Sequence, residues 1–298
     1  MGKSLSLTQK NNKKKVLFIT NIIIALGIFV VLLIVFTKND LAFSKNAYNP
    51  NTFFGYLFDF LGSILPCLIC PFVIVAYIPY VKGTKRTTAK YILLGFVYVY
   101  TVFMSVASVC NSLLLFIDSI VVCVLLTILT AVGVLLESYV AFQIGKTRHA
   151  DNDELFRKIM LIAIICVCVA MIGVDVIKLT FGRVRFYLIA DNPDSVFSPW
   201  YVIQSHEFNS SFPSGHASRS GLILLLLLLP KLFPKLDKKI VSVIFNLLGL
   251  VFMALMMYAR VMDGMHYCSD VLVGTFITIF TYSICSYCTL YKCCEDKK

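Results

Sequence analysis

Eight long apolar segments constrain this 298-residue chain more than any other feature of its sequence. A helix needs about 20 mostly apolar residues to cross a bilayer, and only the sixth segment is clearly shorter. Hydrophobic residues make up 59% of the chain and charged residues 14%, whereas a soluble domain is about half apolar and a quarter charged. We therefore expect an all-α, polytopic membrane helix bundle with about eight transmembrane helices. The segments are 16–36, 57–80, 91–116, 119–144, 159–180, 216–230, 240–259 and 270–290.

Most of the 27 lysines and arginines lie in groups at alternate ends of these segments. Such groups precede the first segment, follow the second, fourth and sixth, and also follow the eighth. Because positively charged loops stay in the cytoplasm, this pattern predicts that both termini are cytoplasmic. The net charge of +11 then reflects membrane topology, and we expect no nucleic-acid partner.

The 11 cysteines lie mostly inside apolar segments, where a buried thiol behaves as a small hydrophobic group. Two pairs, Cys67 with Cys70 and Cys285 with Cys288, have CxxC spacing, but no nearby histidine or second pair completes a zinc set. The sequence also has no clustered carboxylates suited to magnesium. We therefore expect neither a metal ion nor a cofactor.

Five cations do not fit the positive-inside pattern, because they lie at or near the outer ends of spans five, six and seven. Snorkelling of long side chains to the interface is one explanation, and binding of an anion is the other. Within the segment KLTFGRVRF, Lys178 and Arg185 are seven residues apart. They share a face if the helix continues, although Gly182 would loosen that helix. The five cations are Lys178, Arg183, Arg185, Arg219 and Arg260.

The segment FPSGHAS opens the sixth span. Pro213 and Gly215 bend the chain there and leave backbone N–H groups at the start of a helix, which is a site suited to anions. Ser214 can cap the same helix. Taken alone, this segment is also compatible with an ordinary capped helix start that carries the histidine His216.

The segment ARVMDGMHYCSD joins the seventh span to the eighth. Arg260 closes the seventh span, and His266 and Asp270 share a helical face if the eighth helix begins early. Asp270 would then accept the Nδ1–H of His266 and leave Nε2 free as a nucleophile. A surface histidine and a helix-capping aspartate are the alternative, and Asp263 is interpreted as a loop residue.

The predicted topology brings these three segments together on the non-cytoplasmic side. Lys178, Arg185 and Arg260 would then surround one point, and the amides of Ser214 and Gly215 would add partial positive charge. Such a cluster repels itself unless an anion balances it, and a phosphate dianion is the natural occupant.

The two histidines can divide the work of phosphate transfer. We expect His266 to attack phosphorus and become a phosphohistidine, which water then cleaves. We expect His216 to protonate the leaving oxygen as the general acid. The surrounding cations would neutralise charge in place of a metal ion.

In these residues the chain resembles the type 2 phosphatidic acid phosphatase superfamily of lipid phosphatases. The family signature is Lys-x6-Arg-Pro, then Pro-Ser-Gly-His, then Ser-Arg-x5-His-x3-Asp, and residues 178–270 carry all three parts at these spacings. The resemblance implies three catalytic residues, His266, His216 and Asp270. It also implies five ligands of the substrate phosphate: Lys178, Arg185, Ser214, Gly215 and Arg260.

The family core has six spans, and spans three to eight of this chain fit its order. We therefore expect residues 91–298 to form a six-helix phosphatase core, and residues 1–90 to form a cytoplasmic tail and two additional helices. Two residues depart from the signature, since Phe186 replaces its proline and Ala259 replaces its serine. The first change is expected to loosen the turn after Arg185, and the second removes a hydroxyl group.

The sequence thus predicts metal-independent hydrolysis of a lipid phosphomonoester or diphosphate at the extracytoplasmic face. Phosphatidate, phosphatidylglycerophosphate and polyprenyl diphosphate fit as substrates, with membrane lipids as the surroundings. One alternative is a lipid phosphotransferase with the same histidine chemistry. The other is a non-enzymatic multi-pass transporter, which would spread its charges through the depth of several spans.

Overall fold

A computed structural model describes residues 7–192, 196–204, 211–236 and 238–291. Residues 1–6 of the predicted N-terminal tail and the basic residues after 291 lie outside these ranges. The described residues are mostly helical and contain no strand, which confirms the predicted all-α class. The α-helices are α1 (Leu7–Ala47), α2 (Phe53–Tyr77), α3 (Thr87–Phe116), α4 (Ile120–Ala150), α5 (Glu154–Cys168), α6 (Val174–Phe181), α7 (Phe186–Asp191), α8 (Gly215–Ser220), α9 (Leu229–Leu232), α10 (Lys239–Met262) and α11 (Cys268–Ser286).

Among the described residues, seven helices are long and apolar enough to cross a membrane, as expected for a polytopic bundle. They belong to the predicted spans one to five, seven and eight. The fifth consists of α5 and α6 joined by a π-helical turn, Val169–Gly173. The second, α2, is capped by Thr52 and runs as one helix through Pro66 and Pro71.

The predicted sixth span is the exception, because its helix is short and changes winding. It consists of α8, a 3₁₀ segment (Gly221–Leu228) and α9. A 3₁₀ helix rises about 2.0 Å per residue and an α-helix about 1.5 Å. Residues 215–232 therefore reach about 31 Å instead of about 27 Å, which matches the hydrocarbon thickness of about 30 Å. The longer rise of the 3₁₀ winding would let this short segment reach across a bilayer.

The helix α2 packs against α3, α4, α5, α8 and α10, while α1 packs against α10 and α11. The two N-terminal helices therefore contact the helices that carry the second and third motifs. The division of the chain at residue 90 into an addition and a core remains a prediction.

Loop hydrogen bonds gather the ends of several helices at one end of the bundle. The backbone N–H of Asn49, after α1, donates to the carbonyl of Met262 at the end of α10 at 3.0 Å. The N–H of Tyr187 donates to the carbonyl of Gly264 at 3.0 Å, and that of Gln204 to Phe181 at 2.9 Å. The same end holds all three sequence motifs.

Candidate active site

The first motif straddles the end of a helix. Lys178 lies in the last turn of α6, which stops at Gly182 because this residue has a left-handed backbone with φ of 57°. Arg185 follows in extended backbone, just before α7. The two cations therefore do not share a continuous helical face, as a continuing helix would have required.

The second motif forms a capped helix start, as predicted. The Ser214 hydroxyl accepts a hydrogen bond from the N–H of Ala217 at 3.3 Å. The backbone N–H of Ser214 donates to the carbonyl of Asp270 at 3.0 Å, so it is already occupied. This correction leaves the amide of Gly215 as the predicted anion ligand. The bond also ties the second motif to the third.

The first two motifs and the sixth span meet at Gly215. The Lys178 Cε atom lies 3.9 Å from the position that a Cβ on Gly215 would take, and the Arg219 Cζ atom lies 4.0 Å from it. Arg219 also approaches the Asp175 carboxylate at 3.8 Å, and Tyr100 donates to that carboxylate at 2.8 Å. Two cations therefore line the start of α8.

The third motif is arranged differently from the expectation of one shared helical face. The helix α11 begins at Cys268, so His266 lies in the preceding loop and Asp270 lies in the first turn. The His266 Nδ1 atom is 2.7 Å from the carbonyl oxygen of Ser211 and 4.0 Å from Asp270 Oδ2. The direct acceptor of the Nδ1–H group is therefore a backbone carbonyl, and the Asp270 carboxylate lies farther from the ring nitrogen.

The Asp270 carboxylate is occupied by other groups. Its Oδ2 atom accepts hydrogen bonds from the Ser211 hydroxyl and from the N–H of Tyr267, the latter at 2.9 Å. Its Oδ1 atom accepts from Arg183 Nη1 at 2.5 Å. Asp270 thereby orients Ser211, whose carbonyl orients the histidine.

Arg183 lies at the centre of a fully buried network that the sequence did not indicate. Besides Asp270, its guanidinium binds Asp40 Oδ2 at 3.0 Å and stacks over the ring of Tyr267 at 3.9 Å. Asp40, near the end of α1, also accepts hydrogen bonds from the backbone and hydroxyl of Ser269. The first helix therefore supports the third motif with a carboxylate.

Arg260 is balanced from within the protein. It forms ion pairs with Asp59 on α2 and with Asp263, the latter at 2.7 Å. The expectation that the cations need an external anion is therefore wrong for Arg260. Asp263 follows the last residue of α10, in the predicted loop, but it also has a role as a partner of Arg260. A signal for Asp59 existed, since a carboxylate inside an apolar span needs a buried partner.

His216 and Arg185 complete the site. The His216 Nε2 atom lies 3.6 Å from Asp59 Oδ1 and 3.3 Å from the Ser63 hydroxyl. The Arg185 Nη1 atom contacts Met265 Sδ at 3.3 Å, and its buried Nε has no hydrogen-bond partner among the described residues. Such a guanidinium nitrogen is suited to an incoming oxyanion.

Several of the predicted site residues act electrostatically on His266. Burial lowers the pKa of His266 well below its ordinary value, and the charges of Lys178, Arg185 and Arg260 lower it further. His216 acts on the same ring in the same direction. The His266 ring is therefore neutral at pH 7.

The two departures from the family signature are both buried. Phe186 is 3% exposed and packs edge-on against Tyr48 and Tyr267, so it anchors the chain after Arg185 and does not loosen it. Ala259 is fully buried and packs with Phe58 and Met256. Apolar contacts thus take the place of the turn-forming proline and the serine hydroxyl.

Comparisons with known proteins agree with the motifs. Residues 159–293 match the family model of the PAP2 superfamily. An undecaprenyl-diphosphatase from Sulfolobus acidocaldarius is 31% identical over 102 residues, which cover 33% of this chain and 44% of that protein. The chain thus matches less than half the length of this relative, and no solved structure matches the chain. Residues 159–293, which include all three motifs, are thus similar to the PAP2 superfamily, and the resemblance seen in the sequence is confirmed.

Proposed function

We propose that this protein is a membrane-embedded, metal-independent phosphatase that hydrolyses a lipid phosphomonoester or diphosphate through a phosphohistidine. The family match and the name of the relative support lipid phosphatase chemistry. The observation that carries the proposal is the setting of His266, whose Nδ1 faces a carbonyl while three cations act on its ring.

The setting of His266 makes its Nε2 atom a nucleophile. A carbonyl oxygen only accepts hydrogen bonds, so the Nδ1 atom that faces Ser211 carries the ring proton. In a neutral imidazole the other nitrogen then holds a lone pair. Burial and the neighbouring cations keep the ring neutral, which preserves this lone pair at pH 7.

The reaction follows in two balanced steps. In the first, Nε2 of His266 attacks phosphorus, the bond from phosphorus to the leaving oxygen breaks, and His216 gives that oxygen a proton. In the second, water attacks phosphorus, the phosphorus–nitrogen bond breaks, and the proton of the water passes to His216. Inorganic phosphate and the lipid alcohol, or a lipid monophosphate from a diphosphate, are the products.

The phosphate oxygens would lie among Lys178, Arg185 and the start of α8. The buried Nε of Arg185 supports this assignment, as does the approach of Lys178 to Gly215. Arg260 would contribute a guanidinium that two carboxylates already orient. Ser214 would act through its cap of α8, since its N–H is bound to Asp270.

The proposed substrate is an amphiphile whose tail stays in the bilayer. The name of the relative makes a polyprenyl diphosphate the first compound to test, and phosphatidate and phosphatidylglycerophosphate follow. The site lies at the end of the bundle opposite the basic groups, which supports an extracytoplasmic active site with cytoplasmic termini. The six-helix core of residues 91–298 is part of the same proposal.

The test is phosphate release from these three lipids by the purified full-length protein in detergent with a chelator. We expect wild-type protein to release phosphate from at least one lipid and the variant His266→Ala to release none. Adding a lipid alcohol as acceptor separates hydrolysis from phosphate transfer. Activity that the chelator abolishes, or that survives in His266→Ala, would overturn the mechanism.

A further inference from the structure

The carboxylate of Asp59 occupies a position between two residues of the proposed active site. Asp59 is 7% exposed and lies in the second turn of α2. Its Oδ1 atom binds Arg260 Nη1 and lies 3.6 Å from His216 Nε2. Its Oδ2 atom accepts a hydrogen bond from Ser112 on α3 at 2.5 Å.

One face of α2 holds the His216 ring. Asp59, Gly62 and Ser63 lie at i, i+3 and i+4, so they share this face. A Cβ at residue 62 would lie 2.6 Å from the His216 Cδ2 atom, and only glycine allows this close approach. The Ser63 hydroxyl is 3.3 Å from Nε2 and 3.1 Å from the Ser112 hydroxyl. The ring is thus held by α2, a helix outside the matched residues 159–293.

We propose that Asp59 is the positioning residue of the general acid His216. This inference rests on the proposed phosphatase function. The carboxylate of Asp59 fixes the orientation of the imidazole and stabilises its protonated form. The imidazolium then transfers one proton to the leaving oxygen and returns to the neutral ring.

The charges around His216 explain why a carboxylate is needed there. Burial disfavours the protonated ring most strongly, and the charges of Arg260 on α10, Arg219 on α8 and Lys178 on α6 disfavour it further. Cations disfavour an imidazolium, whereas a nearby carboxylate favours it. Asp59 therefore opposes the same cations that bind the phosphate. Among the charges that act on the ring, that of Asp59 favours the imidazolium that the proposed acid requires.

The chain offers a matched control in Asp263. Both Asp59 and Asp263 form ion pairs with Arg260, but the described contacts of His216 include Asp59 and not Asp263. Replacing either carboxylate by an amide removes one of the two negative charges that pair with Arg260. Only the change at Asp59 also removes the charge beside the general acid.

The experiment compares two leaving groups in wild type, Asp59→Asn and Asp263→Asn. Decyl phosphate has an alkoxide leaving group that needs a proton, whereas 4-nitrophenyl phosphate has one that departs without it. General acid catalysis contributes about 10²–10⁴-fold. We therefore expect Asp59→Asn to lose about 100-fold in kcat/KM on decyl phosphate and less than about threefold on 4-nitrophenyl phosphate. Asp263→Asn should lose equally on both.

A second variant protects the test against misfolding of Asp59→Asn. Ser112→Ala removes one hydrogen bond of Asp59 but keeps its charge, and we expect a smaller loss that is again selective for decyl phosphate. An equal loss on both substrates in these variants would overturn the role of Asp59. An inactive wild-type protein, or a wild type without phosphohistidine, would instead overturn the proposed function.

Discussion

The Nδ1 atom of His266 lies 2.7 Å from the carbonyl oxygen of Ser211, and this backbone contact sets the state of the proposed nucleophile. Ser211 comes just before the second motif, so a neighbour of one motif orients the proposed nucleophile of another. Asp270 holds Ser211 through its hydroxyl and stands 4.0 Å from the ring nitrogen. The side chain named by the family signature therefore acts on His266 chiefly through Ser211.

Changing His266 to alanine should abolish phosphate release, because the attacking nitrogen is lost. Labelled lipid phosphate should mark wild-type protein with a phosphoryl group that is stable to alkali and labile to acid, and it should not mark the variant. His149→Ala is the control, since this exposed histidine packs against Tyr80 at the opposite end of the bundle. Full labelling of the His266 variant would contradict the assignment.

Asp270→Asn and Asp40→Asn should separate catalysis from stability. Each change leaves the buried Arg183 with one carboxylate, so each should lower the free energy of unfolding by about 3 kcal/mol. Only Asp270 also orients Ser211, so only its variant should lose at least about 10-fold in kcat. Thermal unfolding in detergent and turnover measure the two effects. Equal losses of kcat in both variants would argue against this division.

Arg185→Gln should weaken binding of the phosphate group. A hydrogen bond to a charged partner contributes about 1.5–3 kcal/mol, which corresponds to an increase of about 10-fold or more in the inhibition constant of inorganic phosphate. Arg148→Gln is the control, because its ion pair with Asp153 lies at the other end of the bundle. An unchanged inhibition constant in Arg185→Gln would exclude this residue as a ligand.

The lowered pKa of His266 predicts how stability depends on pH. The unfolded chain has the ordinary histidine pKa of about 6.5, so it binds a proton that the folded protein excludes below that pH. Stability from this residue is complete above pH 6.5 and decreases as the pH falls, by up to about 1.4 kcal/mol per unit.

Thermal unfolding of the substrate-free protein between pH 7 and pH 5 measures this effect. Relative to His266→Gln, wild-type protein should lose stability across that range. His149→Gln should follow the wild-type curve. Parallel curves for wild type and His266→Gln would show that the buried ring is not kept neutral.

The proposed orientation predicts which loops are accessible in sealed cells. An epitope inserted at the exposed residue Asp118, between α3 and α4, should bind antibody from outside. An epitope after residue 298 should bind only after permeabilisation, because the basic groups retain that end in the cytoplasm. The reverse pattern would place the active site in the cytoplasm.

The sequence alone determined the helical membrane class and the residues of the three motifs. Both depend on local properties, since a bilayer demands a minimum apolar length and the motif spacings are read directly from the chain. The capped start of α8 followed from Ser214 in the same way. The length of the sixth span did not, because its 3₁₀ winding is seen only in the structure.

Only the tertiary structure decided how the charges of the site are balanced. Arg260 and Asp59 are 201 residues apart, and Arg183 and Asp40 are 143 apart. A carboxylate in an apolar helix indicates that a cationic partner exists. The packing of the bundle determines which cation that partner is. The contact of His266 with the Ser211 carbonyl could not be predicted either. Every residue has a backbone carbonyl, so the residue types do not indicate which one accepts the hydrogen bond.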